Sequence, residues 1–282
     1  MNDTIDLKML SALVKWREDD SHKGDYGHLL IVAGCERMPG AAVLATGAAL
    51  KSGCGLVSLH STSRALQAVV NNYPSAMLSE NPGNYFSVIP DLDSRTFSAI
   101  AVGPGLGKEP ETRKALVELL KKAREKEIPA VLDADALNIL SETDGWQELV
   151  PAGSILTPHL GELKRLMPDG ISDEAISRLC GHTGCVLVRK GYRTKVFTPS
   201  GECLVNTTGN PGMAKGGSGD VLTGLTGGLL ARGYSPADAA AIGVWIHGCA
   251  GDFLTERFTA EAYSSRDLID YLWKGFELLY KG

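Results

Sequence analysis

Short apolar runs alternate with helical patterns along most of this chain, and that alternation restricts its fold more than any other feature. The runs have four or five residues each, are rich in valine, isoleucine, leucine and alanine, and are mostly followed by glycine or polar residues, as buried strands are. They are Leu29–Ala33, Leu56–His60, Ala99–Val102, Ala130–Asp133, Ser154–Thr157 and Cys185–Arg189. Strands linked by helical crossovers lie parallel, so the pattern predicts an α/β fold with a central, mostly parallel sheet and helices on both faces.

The remaining segments predict helices and one hairpin. The helices are predicted over about 39–52, through the amphipathic segment that contains Leu116, Leu119, Leu120 and Ala123, and over about 219–231, 236–257 and 265–280. The hairpin is predicted to join Lys195–Thr198 to Glu202–Val205. The chain has no internal repeat and no sharp change in composition, so we expect one domain over residues 1–282, of which 1–22 are an N-terminal extension.

Four polar or glycine-rich loops follow directly after predicted strands. They are Gly103–Gly107, Asp133–Asn138, Thr157–Glu162 and Lys190–Thr194. In an open parallel sheet, ligands bind beyond the carboxyl ends of the strands, so these loops are expected to line one cleft.

The glycine-dense segment Gly216–Asp220 leads straight into the apolar, helix-compatible segment Val221–Leu230. Free backbone N–H groups and a helix N-terminus then surround one point, which is a site for anions, and glycine lets a phosphate come close. A carboxylate among such amides would repel the anion unless it accepted a proton. The segment therefore indicates an anion hole with Asp220 as general base, and we favour this over a plain helix cap.

The other loops each leave two interpretations open on local grounds. Gly103–Gly107 lacks the spacing of a dinucleotide fingerprint and is either a tight turn or a place where a bulky substrate meets the backbone. The carboxylates of 133–138 could bind Mg²⁺ or its water, or cap a helix.

His159 is either a binding residue or structural, and Glu162 could hold metal-bound water or favour a helix N-terminus. Lys190–Thr194 could receive phosphates or a base, or be a solvated turn.

Composition excludes several classes of function. The net charge of −5 includes no basic block, which argues against nucleic acid or an anionic membrane as the main partner. No apolar run approaches the length of a bilayer-spanning helix, and residues 1–16 lack the features of a secretory signal. The six cysteines include no CxxC pair and indicate reduced thiols in a cytoplasmic protein.

Six motifs, taken together and in this order, resemble those of the ADP- or ATP-dependent NAD(P)H-hydrate dehydratases, which belong to the ribokinase-like superfamily. They are Lys23–Gly27, Met38–Ala42, Val102–Gly107, Leu132–Asn138, Leu156–Glu162 and Asn210–Asp220. The resemblance covers nearly the whole chain from Lys23 onward, whereas the Gly-Gly-x-Gly-Asp motif alone would indicate only the superfamily.

The resemblance implies repair of a damaged cofactor. The substrate would be the S epimer of NADH or NADPH carrying water at C6 of the nicotinamide ring, and the products NAD(P)H, phosphate and AMP (or ADP). Mg²⁺ and ADP (or ATP) are the expected cofactors, with ADP the donor expected for a bacterial-type member. Asp220 would be the base, and the hydrate would contact Ala42, Gly105, His159 and Asp220. The nucleotide would contact Lys190, Gly191, Tyr192, Arg193, Thr194, Gly216, Gly217, Ser218 and Gly219.

The chain departs from the family pattern in two places and leaves two other functions open. Leu160 stands where the family usually has Pro, and Ser218 replaces a common Thr. About 22 residues precede Lys23, so we expect a dehydratase only, with conversion of the R epimer on a separate chain or in an N-terminal half outside this sequence. We also expect a homo-oligomer. The alternatives are a vitamin or sugar kinase of the same superfamily, which would leave phosphate on carbon, and a nucleotide-sensing protein without turnover.

Overall fold

A computed structural model describes residues 3–281 and contains one ten-stranded sheet. The strands are β1 (Asp3–Ile5), β2 (His28–Val32), β3 (Leu56–Ser61), β4 (Met77–Glu80), β5 (Ala99–Val102), β6 (Ala130–Leu132), β7 (Ile155–Leu156), β8 (Val186–Arg189), β9 (Lys195–Phe197) and β10 (Cys203–Asn206). Their order across the sheet is β1-β10-β9-β8-β7-β6-β5-β2-β3-β4. Only β9 runs against its neighbours, β8 and β10, so the predicted hairpin and the mostly parallel sheet are both confirmed.

Helices cover both faces of this sheet. They are α1 (Leu7–Ser11), α2 (Pro39–Lys51), α3 (Ser63–Asn72), α4 (Pro110–Glu125), α5 (Ala134–Leu140), α6 (Leu160–Leu166), α7 (Asp173–Thr183), α8 (Ser218–Ala231), α9 (Pro236–Arg257) and α10 (Ser265–Lys281). Alternate residues of each strand point to opposite faces. Accordingly, Leu29 and Ile31 pack in a core with α1–α3 and α8–α10, while Leu30 and Val32 pack in a second core with α4–α7.

The sequence missed the elements at the two edges of the sheet. The burial of β1 and β4 is partial, because two of the three residues of β1 and two of the four residues of β4 are exposed. Edge strands of this kind carry no continuous apolar run, and the apolar run was the signal used to find strands. Helices α1, α3 and α7 were not predicted either, and α6 was anticipated only as a helix N-terminus near Glu162. Asp133, placed at the end of a strand, instead precedes α5 as its N-cap residue.

Close packing between α2 and α8 fixes the direction in which the α8 N-terminus points. A Cβ atom at Gly224 of α8 would lie 1.9 Å from the carbonyl oxygen of Ala45 in α2. The two helices can therefore approach only because residue 224 has no side chain. This contact holds the first turn of α8 near the carboxyl ends of the central strands. Within residues 3–281, none of the helices combines the length and apolar character that a membrane-spanning helix needs.

Candidate active site

The site lies where the carboxyl ends of β6 and β8 meet the first turn of α8. Asp133 follows β6, Lys190 follows β8, and Gly219 belongs to α8. The ammonium Nζ of Lys190 lies 2.6 Å from Oδ1 of Asp133, and an ideal Cβ on Gly219 would lie 3.3 Å from the same Nζ. Three of the loops that the sequence analysis singled out therefore converge at one point, as the topology of a parallel sheet predicts.

Both carboxylate oxygens of Asp133 have partners inside the protein. Oδ1 accepts a hydrogen bond from Lys190, and Oδ2 accepts one of 2.7 Å from Oγ1 of Thr223 in α8. The Asp133 side chain is only 2 % exposed, so its charge is compensated by these contacts and not by water. Its side chain makes no capping hydrogen bond to α5.

The ammonium of Lys190 stays charged although it is largely buried. Burial disfavours the charged form, but the carboxylates of Asp133 and Glu162 outweigh burial and raise the pKa of Lys190. A permanent positive charge at the start of α8 adds to the attraction that the helix N-terminus itself exerts on anions.

Asp220 lies in the first turn of α8 with its carboxylate unengaged. Among residues 3–281, no N–H or O–H group donates a hydrogen bond to it, and its side chain is partly exposed. Burial, together with the carboxylates of Asp133 and Asp135, raises its pKa from 3.8 to about 6, against the opposing effect of Lys190. A free carboxylate with a pKa near neutrality is suited to accept a proton from a substrate hydroxyl.

The glycine segment presents its backbone amides to an incoming anion. Gly217, the N-cap residue of α8, has φ +90°, and a Cβ there would lie 2.4 Å from Cδ1 of Leu44. Glycine is therefore required at this position by both conformation and space. No side chain caps α8, so its first N–H groups remain open to a ligand such as a phosphate.

His247 of α9 lies behind the first residue of α8. Its Nε2 is 3.4 Å from Oγ of Ser218, and burial lowers the pKa of His247 to about 4, so the imidazole is neutral. The sequence analysis assigned no ligand role to His247, because the histidine shows no ligand spacing and its place in the helix predicted over 236–257 is that of a core residue. In the structure His247 lines the cavity described below.

His159 and Glu162 cap each other at the start of α6. The backbone N–H of His159 donates to Oε2 of Glu162 (2.8 Å), and Nδ1 of His159 accepts from the backbone N–H groups of Gly161 (2.9 Å) and Glu162 (3.2 Å). Of the two alternatives for Glu162, the structure therefore shows the one in which its carboxylate stabilises a helix N-terminus. Its Oε2 lies 3.9 Å from Nζ of Lys190. Within residues 3–281, no three histidine, cysteine or carboxylate side chains form a group able to hold a metal ion, and the metal role of Glu162 stays a prediction.

Ala42 and Gly105 lie where α2 meets the loops that follow β2 and β5. Gly105 follows β5 with φ +62°, and a Cβ there would be 2.8 Å from Cβ of Ala41. Ala42 is fully buried, with its methyl group against Gly34. The loop of Gly105 is tied to α5, since the backbone N–H of Gly107 donates to Oδ2 of Asp135 (2.9 Å).

A cavity of about 870 Å³ opens beside the first turn of α8. Of the residues predicted to bind ligand, it is lined by His159, Lys190, Gly191, Tyr192, Arg193, Thr194, Ser218 and Gly219. It is not lined by Ala42, Gly105, Glu162, Gly216, Gly217 or Asp220. The predicted nucleotide residues thus largely share one cavity, whereas Ala42 and Gly105 lie outside it. Asp220, which directly follows Gly219 in the first turn of α8, lies outside the cavity as well.

The cavity also contains residues to which the sequence analysis assigned no ligand contact. They include Asn206, Thr207, Thr208, Asn210, Lys215, Leu222, Val244 and His247. Lys215 is fixed by hydrogen bonds from its Nζ to the carbonyl oxygens of Ala260 and Tyr263. Most of these residues flank the glycine segment in the sequence, so their proximity to it was the one signal that could have identified them.

Comparison with known proteins places the chain among dehydratases that act on hydrated nicotinamide cofactors. A family profile described as NAD(P)H-hydrate dehydratase matches residues 29–274. The bifunctional NAD(P)H-hydrate repair enzyme of Moorella thermoacetica is 37% identical over 270 residues, which are 91% of this chain and 50% of that enzyme. The first three curated relatives are about twice as long as the matched region, which covers 50%, 52% and 54% of them.

A shorter relative and a solved structure match along most of their length. The ADP-dependent (S)-NAD(P)H-hydrate dehydratase of Neisseria meningitidis is 39% identical over 252 residues, which are 86% of this chain and 82% of that protein. The crystal structure of the ADP/ATP-dependent NAD(P)H-hydrate dehydratase of Bacillus subtilis, obtained with ATP and Mg²⁺, superposes with a TM-score of 0.83 and 28% identity. Each chain is covered to 99%.

Proposed function

The chain belongs to the NAD(P)H-hydrate dehydratase family, and we propose that it removes water from the S epimer of NAD(P)H hydrate at the expense of ADP or ATP. The products are NAD(P)H, phosphate and AMP, or ADP where ATP is the donor. One observation carries the proposal: a free carboxylate with a pKa of about 6, Asp220, directly follows Gly219, which lines the large cavity. A proton acceptor thus stands next to the site that would hold the phosphoryl donor.

The first step of the reaction is a phosphoryl transfer to the hydrate. Asp220 accepts the proton of the C6 hydroxyl group while the hydroxyl oxygen attacks the terminal phosphorus of the nucleotide, and the bond from that phosphorus to the leaving nucleotide breaks. The N–H groups at the start of α8 and the ammonium of Lys190 are placed to stabilise the charge on the transferring group.

The second step is an elimination that the first step makes possible. Hydroxide is a poor leaving group, whereas phosphate departs readily. The lone pair of the ring nitrogen expels phosphate from C6, and loss of a proton from the neighbouring C5 restores the dihydronicotinamide. Because the phosphate ester is consumed, the reaction differs from that of a kinase, which would stop at a stable ester.

The lining of the cavity supports a separate place for each substrate. The cavity contains Lys190 and Gly219, which suits the nucleotide, whereas Ala42 and Gly105 lie outside it. The loop of Gly105 is bound to Asp135, whose charge acts on Asp220. We propose that the hydrate binds at Ala42 and Gly105, with His159 at the boundary, so that its hydroxyl group reaches Asp220.

A magnesium ion, when bound, would neutralise charge on the nucleotide's phosphates. The residues fit an ion held mainly by phosphates and water, as Mg²⁺ commonly is. The oxygens of Asp133 already accept from Lys190 and Thr223, and Oε2 of Glu162 accepts the N–H of His159. We therefore propose that Glu162 contacts the ion through water.

Compartment and assembly belong to the same proposal. All six cysteines are free thiols in the structure, and this supports a reducing compartment, the cytoplasm. We further propose that residues 1–282 act as one dehydratase unit. The homo-oligomer stays a prediction.

The test is to mix the protein with NADH hydrate, Mg²⁺ and either ADP or ATP, and to follow dihydronicotinamide absorbance and free phosphate together. We expect both to rise in equal amounts, and only when nucleotide is present. Phosphate that remains bound to carbon would identify a kinase instead. Tight nucleotide binding with neither signal would identify a binding protein, and either result would refute the dehydratase.

A further inference from the structure

We propose that Asp133 and Thr223 form a positioning pair that holds the Lys190 ammonium beside Gly219, where it meets the phosphate of the bound nucleotide. The proposal rests on the proposed function for the identity of the ligand. It assigns a role to two buried residues that the reaction itself does not require.

Thr223 makes a single, well-defined contact with its hydroxyl group. It lies one turn after Gly219 in α8, is fully buried, and donates to Oδ2 of Asp133 over 2.7 Å. The apolar helix around it gives no other reason for a hydroxyl group. By engaging Oδ2, Thr223 directs the second oxygen, Oδ1, at Nζ of Lys190, which is 2.6 Å away.

Lys190 retains a donor for a ligand after these contacts are made. An ammonium group has three N–H donors. Asp133 takes one, and Oε2 of Glu162, at 3.9 Å, is too distant for a hydrogen bond. The side chain is 19 % exposed and lines the cavity. The remaining donors can therefore reach a phosphate without breaking the contact with Asp133.

Gly219 makes room for this arrangement at the start of α8. A Cβ there would lie 3.3 Å from Nζ of Lys190 and 3.5 Å from Oδ2 of Asp133. Because residue 219 is glycine, the ammonium lies against the first turn of α8. A phosphate bound by the N–H groups of that turn would consequently lie near the ammonium as well, and charged hydrogen bonds of this kind are about twice as strong as neutral ones.

Asp133 also acts on Asp220 through its charge. Its carboxylate and that of Asp135 raise the pKa of Asp220, and the Lys190 ammonium lowers it. From α9, His247 faces the same turn but is neutral, and Glu162 acts on Lys190. Removing the charge of Asp133 alone should thus let Asp220 ionise at lower pH.

The first experiment compares three threonine variants. Thr223→Val removes the hydroxyl group at nearly constant volume, and Thr223→Ser restores it. Thr226→Val is the matched control, because the Thr226 hydroxyl is equally buried in α8 but has no hydrogen-bond partner among residues 3–281. We expect kcat to fall about tenfold in Thr223→Val, with the KM for the hydrate unchanged, and to recover in Thr223→Ser. Thr226→Val should behave as wild type.

The second experiment measures binding and does not depend on turnover. Calorimetry gives the ratio of ADP to adenosine affinity, which reports the phosphate contacts. We expect this ratio to fall severalfold in Thr223→Val and to return in Thr223→Ser. If the wild type binds ADP but never produces NADH, the proposed function fails while this ratio still tests the positioning pair.

The third experiment is the pH profile of Asp133→Asn, after its thermal unfolding has shown that it folds. The acid limb of kcat/KM should move to lower pH, an effect that a purely structural residue would not have.

Three results would overturn the proposal: equal kcat and equal ADP preference in wild type and Thr223→Val, no recovery in Thr223→Ser, or a folded Asp133→Asn with an unmoved acid limb. If Asp133→Asn does not fold, the threonine series decides.

Discussion

His159 and Lys190 are paired by a parallel β-bridge just beyond the ends of β7 and β8. The backbone N–H of Lys190 donates to the carbonyl oxygen of Pro158 over 2.9 Å. The loop proposed to contact the hydrate and the loop proposed to contact the nucleotide therefore continue the sheet and hold each other in register. Loops fixed in this way need little ordering when ligands bind, which favours a preformed site.

Replacing Asp220 by asparagine should stop turnover without loss of nucleotide binding. Asparagine has nearly the same shape but cannot accept the hydroxyl proton, and loss of a positioned base lowers rates by about 10²–10⁴-fold. Nucleotide affinity should hold or rise, because a negative charge near the phosphates disappears. Single-turnover rates and ADP calorimetry would measure both. An Asp220→Asn variant that retained full activity would exclude Asp220 as the base.

In the wild type, kcat/KM should decline below pH about 6, where Asp220 becomes protonated.

The same substitution should stabilise the protein, but only at neutral and higher pH. Burial raises the pKa of Asp220 from 3.8 to about 6, so ionisation favours the unfolded state. Above pH 6 this costs the wild type up to about 3 kcal/mol, the cost shrinks between pH 6 and 3.8, and it vanishes below 3.8. Urea unfolding at about pH 8 and about pH 4 should show a gain for Asp220→Asn only at the higher pH. An equal gain at both would contradict the raised pKa.

The sequence predicted the parts of the site that depend on strand ends. Apolar runs revealed where β6 and β8 stop, and parallel topology then brings Asp133 and Lys190 to one edge of the sheet. The contact between Thr223 and Asp133 could not be predicted in this way. The two residues are 90 positions apart, and a threonine within an apolar helix shows no sign of the partner it will meet.

Which residues of the glycine segment face the cavity was also beyond the sequence. Nothing in the motif Gly216–Asp220 indicates that Gly219 faces a cavity whereas Asp220 does not. That difference follows from the direction of α8, which is set by packing of Gly224 on Ala45. The only sign of such long-range packing in the sequence is a glycine. Many glycines occur simply because they lie in turns, so this sign is not specific.

Gly219→Ala should weaken binding of the nucleotide's phosphates specifically. Its methyl group would lie 3.3 Å from Nζ of Lys190, so the ammonium would have to move away from the first turn of α8, and the methyl group would narrow the approach of a phosphate to that turn. We expect a severalfold loss of ADP affinity and little change for adenosine, measured by calorimetry. Gly181→Ala is the control, since it adds the same methyl group to the exposed face of α7, where the nearest atom is the Pro199 carbonyl oxygen at 3.6 Å. Equal loss for both ligands would instead indicate general damage to the cavity.

Gly224→Ala should destabilise the whole protein, because the contact between α2 and α8 leaves no space for a methyl group. A Cβ at residue 224 would lie 1.9 Å from the backbone carbonyl oxygen of Ala45, so one helix must move. Overpacking of a core typically costs about 1–3 kcal/mol. In Gly181→Ala, by contrast, alanine should stabilise α7 by about 0.5–1 kcal/mol, since that helix position is open. Urea unfolding of the two variants should therefore give changes of opposite sign. A Gly224→Ala protein as stable as wild type would mean that the two helices do not lie as close as the structure places them.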